Sequence, residues 1–153
     1  VRRVLIAVGT PMRRDDGVGP AVAEAVRDRL PAGVRVVTLD GEPTRIVETW
    51  AGADLAVVVD AVRTGAPPGT LHRWDGASLG ALAPPTHPGS SHGLGLGEAL
   101  ALGRALDRLP DRLVVLAVEG ADFGPGDRPS GAVVAAIPAA AAAVAAEFAD
   151  APS

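Results

Sequence analysis

Leu55-Ala56-Val57-Val58-Val59-Asp60 is a continuous apolar run closed by an acid and bounded by turn residues. A strand that alternates apolar and polar residues buries one face. One that is apolar throughout must be covered on both, as the central strands of parallel sheets are. The rest of the chain has the parts to cover it. Val4 to Val8, Val34 to Leu39 and Leu113 to Val118 read as further strands, with helical patterns between them. In the first helical pattern Val18, Val22, Ala25, Val26 and Leu30 share one face, with Glu24, Arg27 and Asp28 opposite. A short helix is predicted over 43–50. Another starts near Gly93–Leu96, with Leu96, Ala99, Leu100 and Gly103 on one face, and stops at Pro110. Ser130 is placed to cap a final Ala-rich helix, which Pro138 is predicted to kink or restart. Thr70-Leu71-His72-Arg73-Trp74 is short and alternating, which suits an antiparallel strand at a sheet edge. Positions 75–92 are rich in Pro, Gly and Ser and read as irregular.

This alternation predicts an α/β fold: a three-layer sandwich with an open, mostly parallel (mixed) five-stranded sheet and helices on both faces. Residues 1–153 read as a single domain, since a chain of this size buries about 70% of its unfolded surface. In such sheets ligands sit beyond the C-terminal strand ends, where the strand order reverses. With an order beginning 2-1-3, that point lies between the first and third strands. Asp16 follows the first and Asp60 ends the third, so topology brings together two acids far apart in sequence.

Composition removes several chemistries. There is no Cys, which excludes disulfides, thiolate metal sites and Cys-protease chemistry. All 14 basic residues are Arg, so neither a Schiff base nor a Walker-type phosphate lysine is present. A net charge of −4 without a basic cluster argues against a nucleic-acid partner. No apolar run reaches the ~20 residues that span a bilayer, and the chain enters its first strand at once, so no membrane partner is expected and the location is read as cytoplasmic.

What remains is carboxylates, a few hydroxyls, and His72, His87 and His92. Gly9-Thr10-Pro11-Met12-Arg13-Arg14-Asp15-Asp16-Gly17 links the first strand to its helix. A phosphate cradle there would be opposed by the two adjacent acids, so the turn suits a cation or carboxylate chemistry. Asp16 and Asp60 with one imidazole make a donor set suited to a divalent transition metal. His92, ending an irregular loop at a helix start, is the best third member. The plainer readings are that Asp15 or Asp16 caps the first helix and that His92 caps a later one. Asp40, in an Asp-Gly pair after the second strand, either lines the cleft or forms a turn. Glu119 and Asp122 follow the strand at 113–118 and could reach the rim. Arg13 and Arg14 either steer a substrate carboxylate or make a solvated face, His72 reads as a solvated edge residue, and His87 as a loop residue. Gly89-Ser90-Ser91-His92-Gly93 matches G-x-S-x-G, but Pro-rich chain precedes Ser91 where a strand is needed, and no later His follows.

These segments together resemble the hydrogenase maturation proteases. The likeness rests on Val8-Gly9-Thr10-Pro11 through Asp15-Asp16-Gly17-Val18-Gly19-Pro20, Asp40-Gly41, Val59-Asp60-Ala61, Ser91-His92-Gly93-Leu94 and Val118-Glu119-Gly120. The resemblance implies an endopeptidase that trims the C-terminal extension of a nickel–iron hydrogenase large-subunit precursor. It puts the metal-contacting residues at Asp16, Asp60 and His92 and a functional acid at Asp40, with Asp16, Asp40 and Asp60 as the catalytic carboxylates. It also implies that the nickel belongs to the precursor and that no metal is permanently bound. A nickel-binding checkpoint or chaperone that does not cut is the alternative; a phosphate-handling hydrolase on a similar sheet is a weaker one. Three positions depart from the family pattern: Thr10 stands where Asn is frequent, Asp16 where some members have Glu, and Asp-Gly-Glu-Pro where Asp-Gly-Gly is usual.

Overall fold

A computed structural model describes residues 1–10, 12–82, 94–126 and 128–149. Five strands, β1 (Arg3–Val8), β2 (Val34–Leu39), β3 (Leu55–Val62), β4 (Leu71–Asp75) and β5 (Arg112–Glu119), form one sheet in the order β2-β1-β3-β5-β4. All neighbours are parallel except β4, which pairs antiparallel to β5 at the edge. The helices are α1 (Val18–Val26), α2 (Pro43–Trp50), α3 (Leu94–Leu106) and α4 (Gly131–Ala149).

Every residue of β3 is buried, as the apolar run Leu55 to Val59 requires, and Asp60 is buried with it. Its side chains alternate between two cores. Leu55, Val57, Val59 and Ala61 pack with α1 and α4, while Ala56 and Val58 pack with α2 and α3. The second core is anchored by Trp50, fully buried, whose indole N–H donates to the Arg108 carbonyl at 2.9 Å. Helix α2 starts where its signals place it: the Glu42 carboxylate accepts the Thr44 and Arg45 amides, each at 3.0 Å, and Pro43 takes the first turn.

Two local expectations are corrected. Ala25 is exposed and Ala23 buried, because the inward stripe of α1 runs through Gly19, Val22, Ala23 and Val26, the i, i+3, i+4, i+7 set. Of the two outcomes expected at Pro138, a restart does not occur, since α4 runs unbroken through it. The ring is on the exposed side, and Ala136, Ala140, Ala141 and Val144 hold both halves on one core. Helix α4 also has the length and hydropathy of a bilayer span, 19 residues with a mean hydropathy of 1.9, yet it packs on the sheet through Val133, Val144 and Phe148.

Candidate active site

The turn after β1 is shaped by two backbone constraints. A side chain at Gly9 would collide with the Asp16 carbonyl, so the chain can fold back on itself there only with glycine. Arg14 has φ +46°, in the left-handed region, and leads into a 3-10 turn over Arg14–Gly17. The two acids in that turn have separate environments.

Asp16 is almost buried, and its Oδ2 accepts the Thr10 amide at 2.9 Å. Asp60 is buried too, and its Oδ1 accepts the Ala61 amide at 2.7 Å. Burial pushes the Asp60 carboxyl well above the usual carboxylate range; the Ala61 amide opposes this and the neighbouring Asp16 charge adds to it. The two acids therefore meet between β1 and β3, at the reversal of strand order, as the sequence predicted. Asp60 lies within β3 rather than closing it, since the strand continues to Val62. By alternation with Ala56 and Val58 it belongs to the face covered by α2 and α3.

Asp40 sits at the same edge of the sheet, at the end of β2, and is exposed. Among the described residues its side chain has one hydrogen bond, accepting the Glu42 amide at 3.1 Å, which makes it the first residue of the turn into α2. His92, like His87 and the Ser91 motif, lies outside the described residues. Helix α3 begins at Leu94, and its first turn packs so closely on the loop after β2 that a Cβ on Gly95 would strike the Gly41 carbonyl. Its N-terminus thus stands at the edge that carries Asp16 and Asp60. Among the described residues no three His, Asp or Glu side chains gather as a metal site.

Asp15 faces the other way and is fully buried. Its Oδ2 accepts the amides of Ala121 at 2.7 Å and Asp122 at 2.8 Å and the Ser130 hydroxyl at 2.9 Å, while Oδ1 accepts the Ser130 amide at 2.6 Å. Burial alone would raise this carboxyl, but the amide and hydroxyl donors outweigh it and hold it below its ordinary value. Ser130 is the cap position of α4, its carbonyl accepting the Val134 amide at 3.0 Å, but its hydroxyl goes to Asp15.

Glu119, buried at the end of β5, does not reach the rim. It accepts the Thr64 hydroxyl at 2.6 Å, the Thr64 amide at 2.7 Å and the Gly65 amide at 3.3 Å, and pairs with His72 Nε2 at 3.0 Å. Burial opposes its ionisation, and these donors more than offset that, leaving it below its usual value. His72 is accordingly no solvated edge residue; its ring stacks on Trp74 with centroids 5.1 Å apart. Arg14 is also committed, its Nε 3.4 Å from Asp122 Oδ2, whereas Arg13 is exposed. The sequence pattern missed the roles of Asp15, Glu119 and His72. Glu119 carries one local signal, an acid closing an apolar run as Asp60 does.

A concavity of about 400 Å³, lined by Leu79, Leu100, Arg104, Leu109 and Arg112 among others, opens at the start of β5. That is the opposite end of the parallel strands from Asp16 and Asp60, and among the described residues that line it neither acid, Asp75 nor Asp111, is buried and there is no imidazole. The burial of Asp16 and Asp60 and the charge of one on the other make their edge the candidate site.

The family model for hydrogenase maturation proteases matches residues 5–147. The hydrogenase expression/formation protein HupD of Thiocapsa roseopersicina is 32% identical over 82% of this chain, and the chain spans 59% of that relative's length. The hydrogenase maturating endopeptidase HybD of E. coli superposes with a TM-score of 0.82 at 26% identity, covering 98% of this chain and 93% of its own. The HybD [NiFe] hydrogenase maturation protease of Thermococcus kodakarensis, at 20% identity, shares the fold, with a TM-score of 0.76 over 97% of this chain and 99% of its own. With a family match across nearly its whole length and two acids brought together at the reversal of its sheet, the chain belongs to the hydrogenase maturation protease family.

Proposed function

We propose that this chain is an endopeptidase that removes the C-terminal extension of the nickel-loaded precursor of a nickel–iron hydrogenase large subunit in the cytoplasm, with the precursor's nickel as the recognition element. The observation that carries the reading is the coupled pair Asp16 and Asp60 at the sheet's reversal point, in a chain of this family. Asp16 has one oxygen on the Thr10 amide, which orients the carboxylate within the turn. Burial and the Asp16 charge disfavour the ionised form of Asp60, and a divalent cation brought beside it favours that form. The substrate's metal would therefore turn the pair into two carboxylate donors. His92 is proposed as the third, two positions before Leu94 in the sequence, where the described part of α3 begins at this edge. The nickel then fixes the scissile bond against the site, where the metal polarises its carbonyl or delivers water and Asp16 or Asp40 handles the proton. No metal is proposed to stay with the protease after release.

The test compares nickel-loaded and nickel-free precursor as substrates, reading truncation by intact mass. Cleavage of the loaded form alone is expected. Equal cleavage of both would remove nickel as the recognition element, and binding of the loaded precursor without truncation would turn the reading to the non-cutting checkpoint.

A further inference from the structure

The adjacent acids of the first turn share no task. Arg14, in its left-handed conformation, turns the chain so that Asp15 points into the segment 121–130 while Asp16 bonds the Thr10 amide. Asp15 is tied by its backbone as well, its amide donating to the Asp122 carbonyl at 3.0 Å. The same segment meets the turn again where the Arg14 amide donates to the Gly126 carbonyl at 3.1 Å and the Gly126 amide to the Met12 carbonyl at 3.0 Å. The Asp15 carboxylate is the hub of this contact, with four donors from three residues and no exposure to water.

We infer that Asp15, clasped by Ala121, Asp122 and Ser130, is a positioning residue for the proposed reaction: it holds the turn so that Asp16 stays on the Thr10 amide beside Asp60. The inference rests on the peptidase reading for its consequence in catalysis, but not for its geometry. A carboxylate is required, because an amide nitrogen at either oxygen position would face an N–H donor. The hydroxyl of Ser130 can rotate to accommodate a change, whereas the Ala121, Asp122 and Ser130 amides cannot.

The Thr10 amide reports directly on Asp16, so hydrogen exchange at that amide is followed with precursor cleavage in Asp15→Asn and Ser130→Ala. In Asp15→Asn, Thr10 exchange should rise about tenfold or more against the Ile6 and Val58 amides, and kcat should fall about tenfold with KM within about twofold. Ser130→Ala removes one donor and leaves the backbone clasp, so both effects should be about threefold. A purely structural role would loosen the Ile6 and Val58 amides in proportion, and that result overturns the inference. So does wild-type Thr10 exchange in both variants, whatever the rate of cleavage. Should Asp15→Asn fail to fold, Ser130→Ala decides by the same two readouts. A wild-type chain that leaves the precursor whole would end the peptidase reading, while Thr10 exchange still settles whether Asp15 places Asp16.

Discussion

Asp60 sits in a place that disfavours its charge, and a group so placed weakens the fold in order to be ready for a partner. Its carboxyl is raised in the folded chain. Its contribution to stability is therefore complete below its unfolded value near pH 4 and is lost as pH rises through the folded value. Asp60→Asn keeps an oxygen for the Ala61 amide and cannot ionise. We expect the variant to melt higher than wild type at pH 7 in the absence of metal, by about 2–4 °C for each kcal/mol recovered, and to lose cleavage. A lower melting temperature would mean that Asp60 is not held against its charge.

At the scale of elements, α4 tolerates a defect. A proline in a helix interior costs about 3 kcal/mol against alanine, from the lost hydrogen bond and the clash of its ring. Pro138 is exposed, so Pro138→Ala removes that cost without opening a cavity. We expect a gain of about 1–3 kcal/mol, read as a higher urea midpoint at unchanged slope. The same helix shows where reading the sequence succeeds and where it stops. Strand positions were legible because β3 is apolar along its length and β2 is bounded by Gly33 and by Asp40-Gly41. The meeting of Asp16 and Asp60 followed from strand order alone. The unbroken passage of α4 through Pro138 did not, because packing on one core outweighed a local propensity. Nor did the roles of Asp15 and Glu119, whose partners lie 106–115 and 47–55 residues away, where no local pattern reaches. His92 was read from its sequence context, and its part in the site stays a proposal.

For the molecule as a whole, the buried acids divide into two groups of opposite sign. Asp15 and Glu119 are held below their usual values, so their contributions are present above their unfolded pKa values, near 4, and are lost as pH falls through the folded ones. Asp60 acts in the other direction as pH rises. The metal-free protein should lose stability steeply below about pH 4 and more gently on the alkaline side, with Asp60→Asn flattening only the second limb. Denaturant midpoints across pH measure both limbs, and an unchanged acid limb in Ser130→Ala would mean that the Ser130 hydroxyl adds nothing there. The clasp also sets an order in time. Asp15 is made more than a hundred residues before Ser130, which opens α4. A nascent chain can lay down all five strands and still lack the anchor for the turn after β1, so that turn would be fixed only once Ser130 has been made.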